Sequence, residues 1–131
     1  MQSQKNYLLD TNSIIYYLQG YKELDMVFDK FVRGTAFPSI SIITEIELLS
    51  FPKITSKEEK LILELLSNFR IYEVDRNIAE QTIKLRKQYL LKIPDAIIAA
   101  TALQKGAVLV TRDEEHFKRI KGLVVLNPFK K

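Results

Sequence analysis

Tyr7-Leu8-Leu9-Asp10-Thr11-Asn12 is the stretch that decides the fold. Three apolar residues stop at a carboxylate, and two small polar residues follow. So short an apolar run reads as a buried strand, with Asn12 capping a helix that runs to about Gln19 and ends at Gly20. Near the other end of the chain Val108-Leu109-Val110-Thr111-Arg112-Asp113 repeats the pattern, an apolar strand followed closely by an acid. Between the two, short apolar runs alternate with helical stretches. That alternation indicates a mainly parallel sheet with helices on both faces.

The intervening segments fit this plan. Glu23 to Val32 has Leu24, Val27, Phe28 and Phe31 at helical spacing. Ala36-Phe37-Pro38 reads as a short strand, and Ile40 to Leu49 as helix or strand by periodicity alone. Ser56-Lys57-Glu58-Glu59 matches a capping box, in which serine and glutamate each satisfy an orphan backbone N–H, and the helix it opens extends to about Asn68. Ile71 to Val74 is a strand. Asn77 to Lys92 is a helix with Ile78, Thr82, Leu85 and Tyr89 along one stripe. Pro94 suits the first turn of an alanine-rich helix that Gly106 ends after Lys105. A short helix from Glu114 to Ile120 and a strand from Leu123 to Leu126 finish the chain. The expectation is one α/β domain over residues 1–131, with about four to five short strands.

Composition excludes several chemistries. With 47% hydrophobic and 27% charged residues, the 131-residue chain is of ordinary globular composition. It has no cysteine and one histidine, which removes thiol catalysis, disulfides, cysteine zinc sites and histidine-rich metal sites. MQSQKNYLLDTN has no long apolar core, so neither a signal peptide nor a membrane span is expected, and a cytoplasmic location is the simplest reading.

The net charge of +4 is unevenly placed. Residues 1–80 carry 9 basic and 12 acidic side chains, and residues 81–131 carry 11 basic and 4 acidic ones. A basic half suggests a polyanionic partner and makes its few acids worth examining singly. Asp10 and Asp113 fall at or just after the C-terminal ends of apolar strands, the edge where open parallel sheets bind ligands. Asp95 lies in the first turn of a helix, which favours its ionised form. Glu45 and Glu47 interrupt an apolar segment and are not separated by geometry. Each acid also has a plain structural reading: Asp10 or Asn12 as a cap, Asp95 as a helix-dipole residue, Asp113 with Glu114 and Glu115 as a solvated helix start. His116 reads as a surface residue. Converging carboxylates without His or Cys would select Mg²⁺ or Mn²⁺. An acidic metal pocket on a basic body suits a nuclease. Lys84, Arg86, Lys87 and Lys92 form a stretch without acids, either a solvated helix face or a phosphate-contacting one. Arg112, beside Asp113, is the best single candidate for a phosphate contact. Ile15, Tyr16, Leu24 and Phe28 read as core or as a partner surface.

These residues, in this order, resemble the PIN-domain ribonucleases. Leu8-Leu9-Asp10-Thr11-Asn12 is similar to the family's opening motif. Thr44-Glu45-Ile46-Glu47-Leu48 is similar to its T-x-x-E-L segment, which selects Glu47 over Glu45. Pro94-Asp95-Ala96-Ile97-Ile98-Ala99-Ala100 resembles the stretch that carries the third acid, and Leu109-Val110-Thr111-Arg112-Asp113, with Phe117 four residues on, the fourth. Ser50-Phe51-Pro52 lacks the glycine often found after the second acid. The pattern is most similar to the VapC toxins of toxin–antitoxin pairs. The resemblance implies a PIN-like three-layer fold and Mg²⁺- or Mn²⁺-dependent endonucleolytic cleavage of RNA, which would make the phosphate contact of Arg112 a contact with RNA. It also implies a homodimer inhibited by a VapB-type antitoxin. Carried over residue by residue, Asp10, Glu47, Asp95 and Asp113 form the acidic quartet, with Glu114 as a possible substitute for Asp113. Thr11, Asn12 and Thr111 are supporting polar residues around the metal. Two alternatives are a non-catalytic RNA-binding or regulatory module of the same fold, and a phosphoaspartate phosphatase with Asp10 as nucleophile. Asn12 stands where such phosphatases commonly carry a second aspartate.

Overall fold

The computed structural model describes residues 4–130. Residues 1–3 and 131, the ends of the expected 1–131 domain, lie outside the described residues. Five strands form one parallel sheet: β1 (Lys5–Leu9), β2 (Ala36–Ser41), β3 (Arg70–Tyr72), β4 (Val108–Val110) and β5 (Val124–Leu126). Their spatial order is β3-β2-β1-β4-β5. From β1 the chain builds outward to β2 and β3 on one side, then returns and builds outward to β4 and β5 on the other. The order therefore reverses between β1 and β4, and a crevice at such a reversal lies at the C-terminal ends of the strands.

Among the described residues, seven α-helices connect or flank the strands: α1 (Thr11–Leu18), α2 (Asp25–Val32), α3 (Ile42–Leu49), α4 (Ser56–Leu66), α5 (Arg76–Tyr89), α6 (Ile93–Lys105) and α7 (Glu114–Phe117). Strand side chains alternate between the two faces, so each face has its own core. Leu8 and Leu109 pack with Ile78, Leu85, Ala99 and Phe117 on one face. Tyr7, Leu9 and Val110 pack with Ile14, Val27, Ile62 and Leu66 on the other. Helix α6 buries Ala96, Ala99, Ala100 and Ala102, whose small side chains let it lie close to its neighbours. Gly106, in the left-handed conformation with φ 61°, ends it.

Several boundaries differ from the sequence reading. Asp10, not Asn12, caps α1, and the helix begins at Thr11. Lys22–Leu24 forms a 3-10 turn before α2, so the expected 23–32 helix is divided. The ambiguous 40–49 segment is both things in turn: Ile40 and Ser41 end β2, and Ser41 caps α3. The capping box sits one residue earlier than expected, on Thr55 and Glu58. Thr55 Oγ1 accepts the Glu58 N–H at 3.1 Å, while Glu58 Oε1 accepts the Thr55 N–H at 2.9 Å. Those bonds hold the Glu58 carboxyl below its ordinary pKa. Helix α5 ends at Tyr89 rather than Lys92, closed by Leu90 in the left-handed region with φ 57°. The 56–68 and 114–120 helices and the 123–126 strand are likewise trimmed to α4, α7 and β5, and the 71–74 strand is shifted to β3, which begins at Arg70 and ends at Tyr72.

Leu24 is fully buried, and Ile15, Tyr16 and Phe28 are partly buried and pack against the same core. Phe28 stacks on Tyr17 with ring centroids 3.6 Å apart. Among the described residues no helix is long and apolar enough to cross a membrane.

Candidate active site

Asp10 leaves the C-terminal end of β1 in extended backbone, and its N–H donates to Val110 O of β4 at 3.2 Å. The carboxylate therefore stands over the reversal between these two strands. Its Oδ1 accepts the Ser13 N–H at 2.9 Å, which satisfies an orphan donor of α1. The cap reading and the site reading of Asp10 thus describe the same side chain. Asp10 is buried, and burial pushes its pKa up, with the nearby charge of Asp95 adding to the rise. Hydrogen bonds from Ser13 and Thr111 oppose that rise. Thr111, buried just after β4, accepts the Asp113 N–H at 3.0 Å.

Asp95 comes from the first turn of α6, beside Pro94, and is half-buried. Its pKa is raised, first by burial, then by the charges of Asp113 and Glu47. His116 and Lys92 pull it down. Asp95 on α6 is thus the acid that links the others, its charge acting on Asp10 after β1 and the charges of Glu47 on α3 and Asp113 after β4 acting on it.

Glu47 is held in a defined direction. Thr11 Oγ1 donates to Glu47 Oε1 at 2.6 Å and is itself hydrogen-bonded to the buried Thr44 Oγ1 at 3.0 Å. Glu45 is not among the charges acting on Asp95, whereas Glu47 is. Asp113 and Glu114 separate in the same way. The charge of Asp113 reaches Asp95, while Glu114 Oε1 pairs with Lys130 Nζ at 3.2 Å. Asn12 is exposed on the first turn of α1.

Among the described residues, no three His, Asp or Glu side chains are drawn together as a ready-made metal cage. The donor chemistry nonetheless fits a hard divalent cation. All four acids offer oxygen, two of them sit at raised pKa, and a cation would offset both burial and mutual repulsion.

The expected basic residues are less uniform. Of the 84–92 stretch, Lys92 is the one whose charge acts on Asp95. Arg86 donates Nε to Leu91 O at 3.1 Å and so braces the turn into α6, while Lys84 and Lys87 are exposed on α5. The Arg112 guanidinium lies 4.1 Å over the Phe129 ring and 5.3 Å from that of Tyr16. That stack fixes its plane without neutralising its charge.

His116 belongs to this group, although the sequence offers little to place it there. Its Nε2 is 3.9 Å from Asp95 Oδ2 and is buried with no hydrogen-bond partner. The ring as a whole is about a third exposed, so the imidazole is turned with one nitrogen inward. Phe117, anchored in the core, fixes the roll of α7 that does this. The one signal in the sequence is a lone histidine three residues after Asp113.

The sequence matches the family described as PIN domain over residues 7–123. Solved structures share the fold over nearly all of the chain. A toxin–antitoxin complex from Klebsiella pneumoniae is 34% identical, with TM-score 0.81, covering 95% of this chain and 99% of that one. VapBC-1 from nontypeable Haemophilus influenzae is 27% identical, with TM-score 0.81 and the same coverage, 95% and 99%. FitAcB from Neisseria gonorrhoeae is 25% identical, with TM-score 0.78, again covering 95% and 99%. No curated protein sequence matches the chain.

Proposed function

The chain belongs to the PIN domain family, and from that premise we propose that it is a metal-dependent endoribonuclease, the toxin of a VapBC-type toxin–antitoxin pair. The observation that supports the reading is Asp95, whose carboxyl is half-buried and raised in pKa by burial and by the charges of Asp113 and Glu47, and whose charge in turn acts on Asp10 at the end of β1 beside the strand-order reversal.

Asp10 and Asp95 would hold Mg²⁺ or Mn²⁺ directly. A bound divalent ion supplies a Lewis acid that neutralises phosphate charge and eases deprotonation of water. Glu47, held by Thr11, would accept a proton from the attacking water, and Asp113 would help orient that water. Water oxygen bonds to phosphorus, the P–O3′ bond breaks, and the departing oxygen takes a proton. The products are 5′-phosphate and 3′-hydroxyl ends. Thr111 and Ser13 keep Asp10 oriented through hydrogen bonds. Lys92 and Arg112 flank the acids as candidate phosphate contacts.

The partner is a VapB-type antitoxin, since the similar solved chains come from toxin–antitoxin and VapBC assemblies. A homodimer and a cytoplasmic location complete the reading. The test is cleavage of labelled RNA with Mg²⁺ and with EDTA, for the wild-type chain and Asp95→Asn, followed by mapping of the ends. Equal cleavage in EDTA, or by Asp95→Asn, overturns the proposal.

A further inference from the structure

The acids occupy one edge of the sheet. The opposite edge, at the N-terminal ends of the strands, carries a groove of the opposite character, about 430 Å³ in volume. Its floor is a corner of the sheet. Asn6 pairs with Phe37, Leu8 with Ser39, and Ser39 with Arg70, so Asn6, Phe37, Arg70 and then Tyr72 share one face. Lys105, in the last turn of α6, forms a wall, and Lys5 of β1 lies beside it. Among the described residues, no carboxylate lines the groove.

Its charges are held but not neutralised. The Arg70 guanidinium lies 4.5 Å over the Phe37 ring, and Lys105 Nζ lies 5.1 Å over that of Tyr72. A ring orients a cation and leaves its charge and its N–H donors unspent. The floor is braced in turn, with Asn6 Nδ2 donating to the Tyr72 hydroxyl at 2.8 Å and Ser39 Oγ to Asn6 Oδ1 at 2.6 Å. Among the described residues, none of Lys5, Arg70 and Lys105 is in an ion pair. The C-terminal dipole of α6 accounts for Lys105, but Lys5 and Arg70 come from strands and have no such reason to be there. Three cations from three elements repel one another unless an anion lies among them.

The rings favour one class of polyanion. Phosphates match the lysines and the arginine, and the guanidinium plane and ring edges suit unstacked bases. An acidic peptide would need the charges alone. The groove is also spaced from the acids by a rigid element. Asp95 and Lys105 stand near opposite ends of α6, ten residues apart, or about 15 Å at the helical rise. A nucleotide chain cut at the acids can reach that far.

We propose that this groove is a second RNA-binding locus, which holds phosphates of the substrate that flank the cleavage site. The proposal rests on the ribonuclease reading above, which supplies RNA as the ligand. Its test measures binding in EDTA, so the groove is judged whether or not the chain cleaves.

The full chain is compared with Lys5→Gln/Arg70→Gln/Lys105→Gln, with Arg70→Gln alone as a milder variant, using a fluorescein-labelled single-stranded RNA of about twenty nucleotides. Neutralising three phosphate-binding side chains should lower the slope of log K against log salt by about 2, and the single variant should lower it by about 0.7. In Mg²⁺ the triple variant should raise KM for the long RNA while leaving kcat, and cleavage of a tetranucleotide, unchanged. A control triple on α4 and the turn before it, Lys53→Gln/Lys57→Gln/Lys60→Gln, should leave the slope as in wild type. An unchanged slope in both groove variants, or an equal drop in the control, overturns the proposal. So does a polyglutamate of equal charge that binds the wild-type chain as tightly as the RNA and loses that binding in the triple variant.

Discussion

His116 Nε2 faces Asp95 Oδ2 at 3.9 Å, buried and without another partner. The distance is too long for a hydrogen bond, yet a movement of about 1 Å would close it. With its proton on Nε2, the imidazole can occupy one oxygen of Asp95 and leave the other for a cation. Outer partners of this kind commonly change metal affinity or activity by about 10- to 100-fold. His116 is thus a positioning residue, and His116→Ala should lower kcat on RNA by about tenfold with KM unchanged. His116→Gln, which can return an N–H to the same place, should restore part of the loss. Wild-type kcat in His116→Ala, or an effect on KM alone, would remove the assignment.

Asp10 sets function against stability. Burial raises its pKa above the ordinary 3.8, so the fold disfavours its ionised form. A raised carboxyl contributes stability below its unfolded pKa and loses it as pH rises through the folded value. At neutral pH the ionised side chain therefore costs stability. Asp10→Asn keeps an oxygen for the Ser13 N–H and removes the charge. In EDTA at pH 7 it should melt a few degrees above wild type, with the gap narrowing toward pH 4, and it should not cleave RNA. Thermal melts at the two pH values check this, and a lower melting temperature for Asp10→Asn at pH 7 would refute it.

Much of the fold was legible because apolar runs ending at Asp10 and near Asp113 dictate buried parallel strands, and because Pro94 and Gly106 punctuate α6 from both ends. Boundaries slipped where two residues could do one job. Asp10 and Asn12 both suit a cap, as do Thr55 and Ser56, and only packing decides between them. The 40–49 segment resisted periodicity because it is a strand end followed directly by a helix. His116 was not legible at all, since the roll of a four-residue helix depends on Phe117 meeting the core. The basic groove was also hidden: Lys5, Arg70 and Lys105 are far apart in sequence and meet only through sheet register and the packing of α6.

The shifted capping box is itself testable. Thr55→Ala removes the acceptor for Glu58 N–H and should cost about 1 kcal/mol in urea unfolding. Ser56→Ala should stay within about 0.5 kcal/mol, since Ser56 sits exposed inside the first turn. A larger loss at Ser56 than at Thr55 would place the cap where the sequence first suggested.

A divalent ion should stabilise the folded chain by linkage. At 100 times its Kd the gain is about 2.7 kcal/mol, read as a rise in Tm with MgCl₂ or MnCl₂. Asp10 and Asp95 must be deprotonated to bind, and both have raised pKa, so the gain should shrink as pH falls from 7 toward 5. Asp95→Asn should abolish the rise. A shift of equal size in that variant would mean that the ion binds elsewhere.

Glu45 and Glu47 provide the sharpest contrast, because they lie two residues apart on one helix and differ in their surroundings. Glu47 accepts a hydrogen bond from Thr11 at 2.6 Å and acts on Asp95, whereas Glu45 has neither link. Glu47→Gln should lower kcat by about 100-fold, in line with loss of a general base, while Glu45→Gln should leave it within about twofold. Thr11→Val, which frees Glu47 without altering its charge, should fall between the two. Single-turnover cleavage of one RNA by all three variants checks the order. If Glu45→Gln proves as damaging as Glu47→Gln, proximity to Asp95 is not what distinguishes them, and the Thr11 hydrogen bond has no part in directing the base.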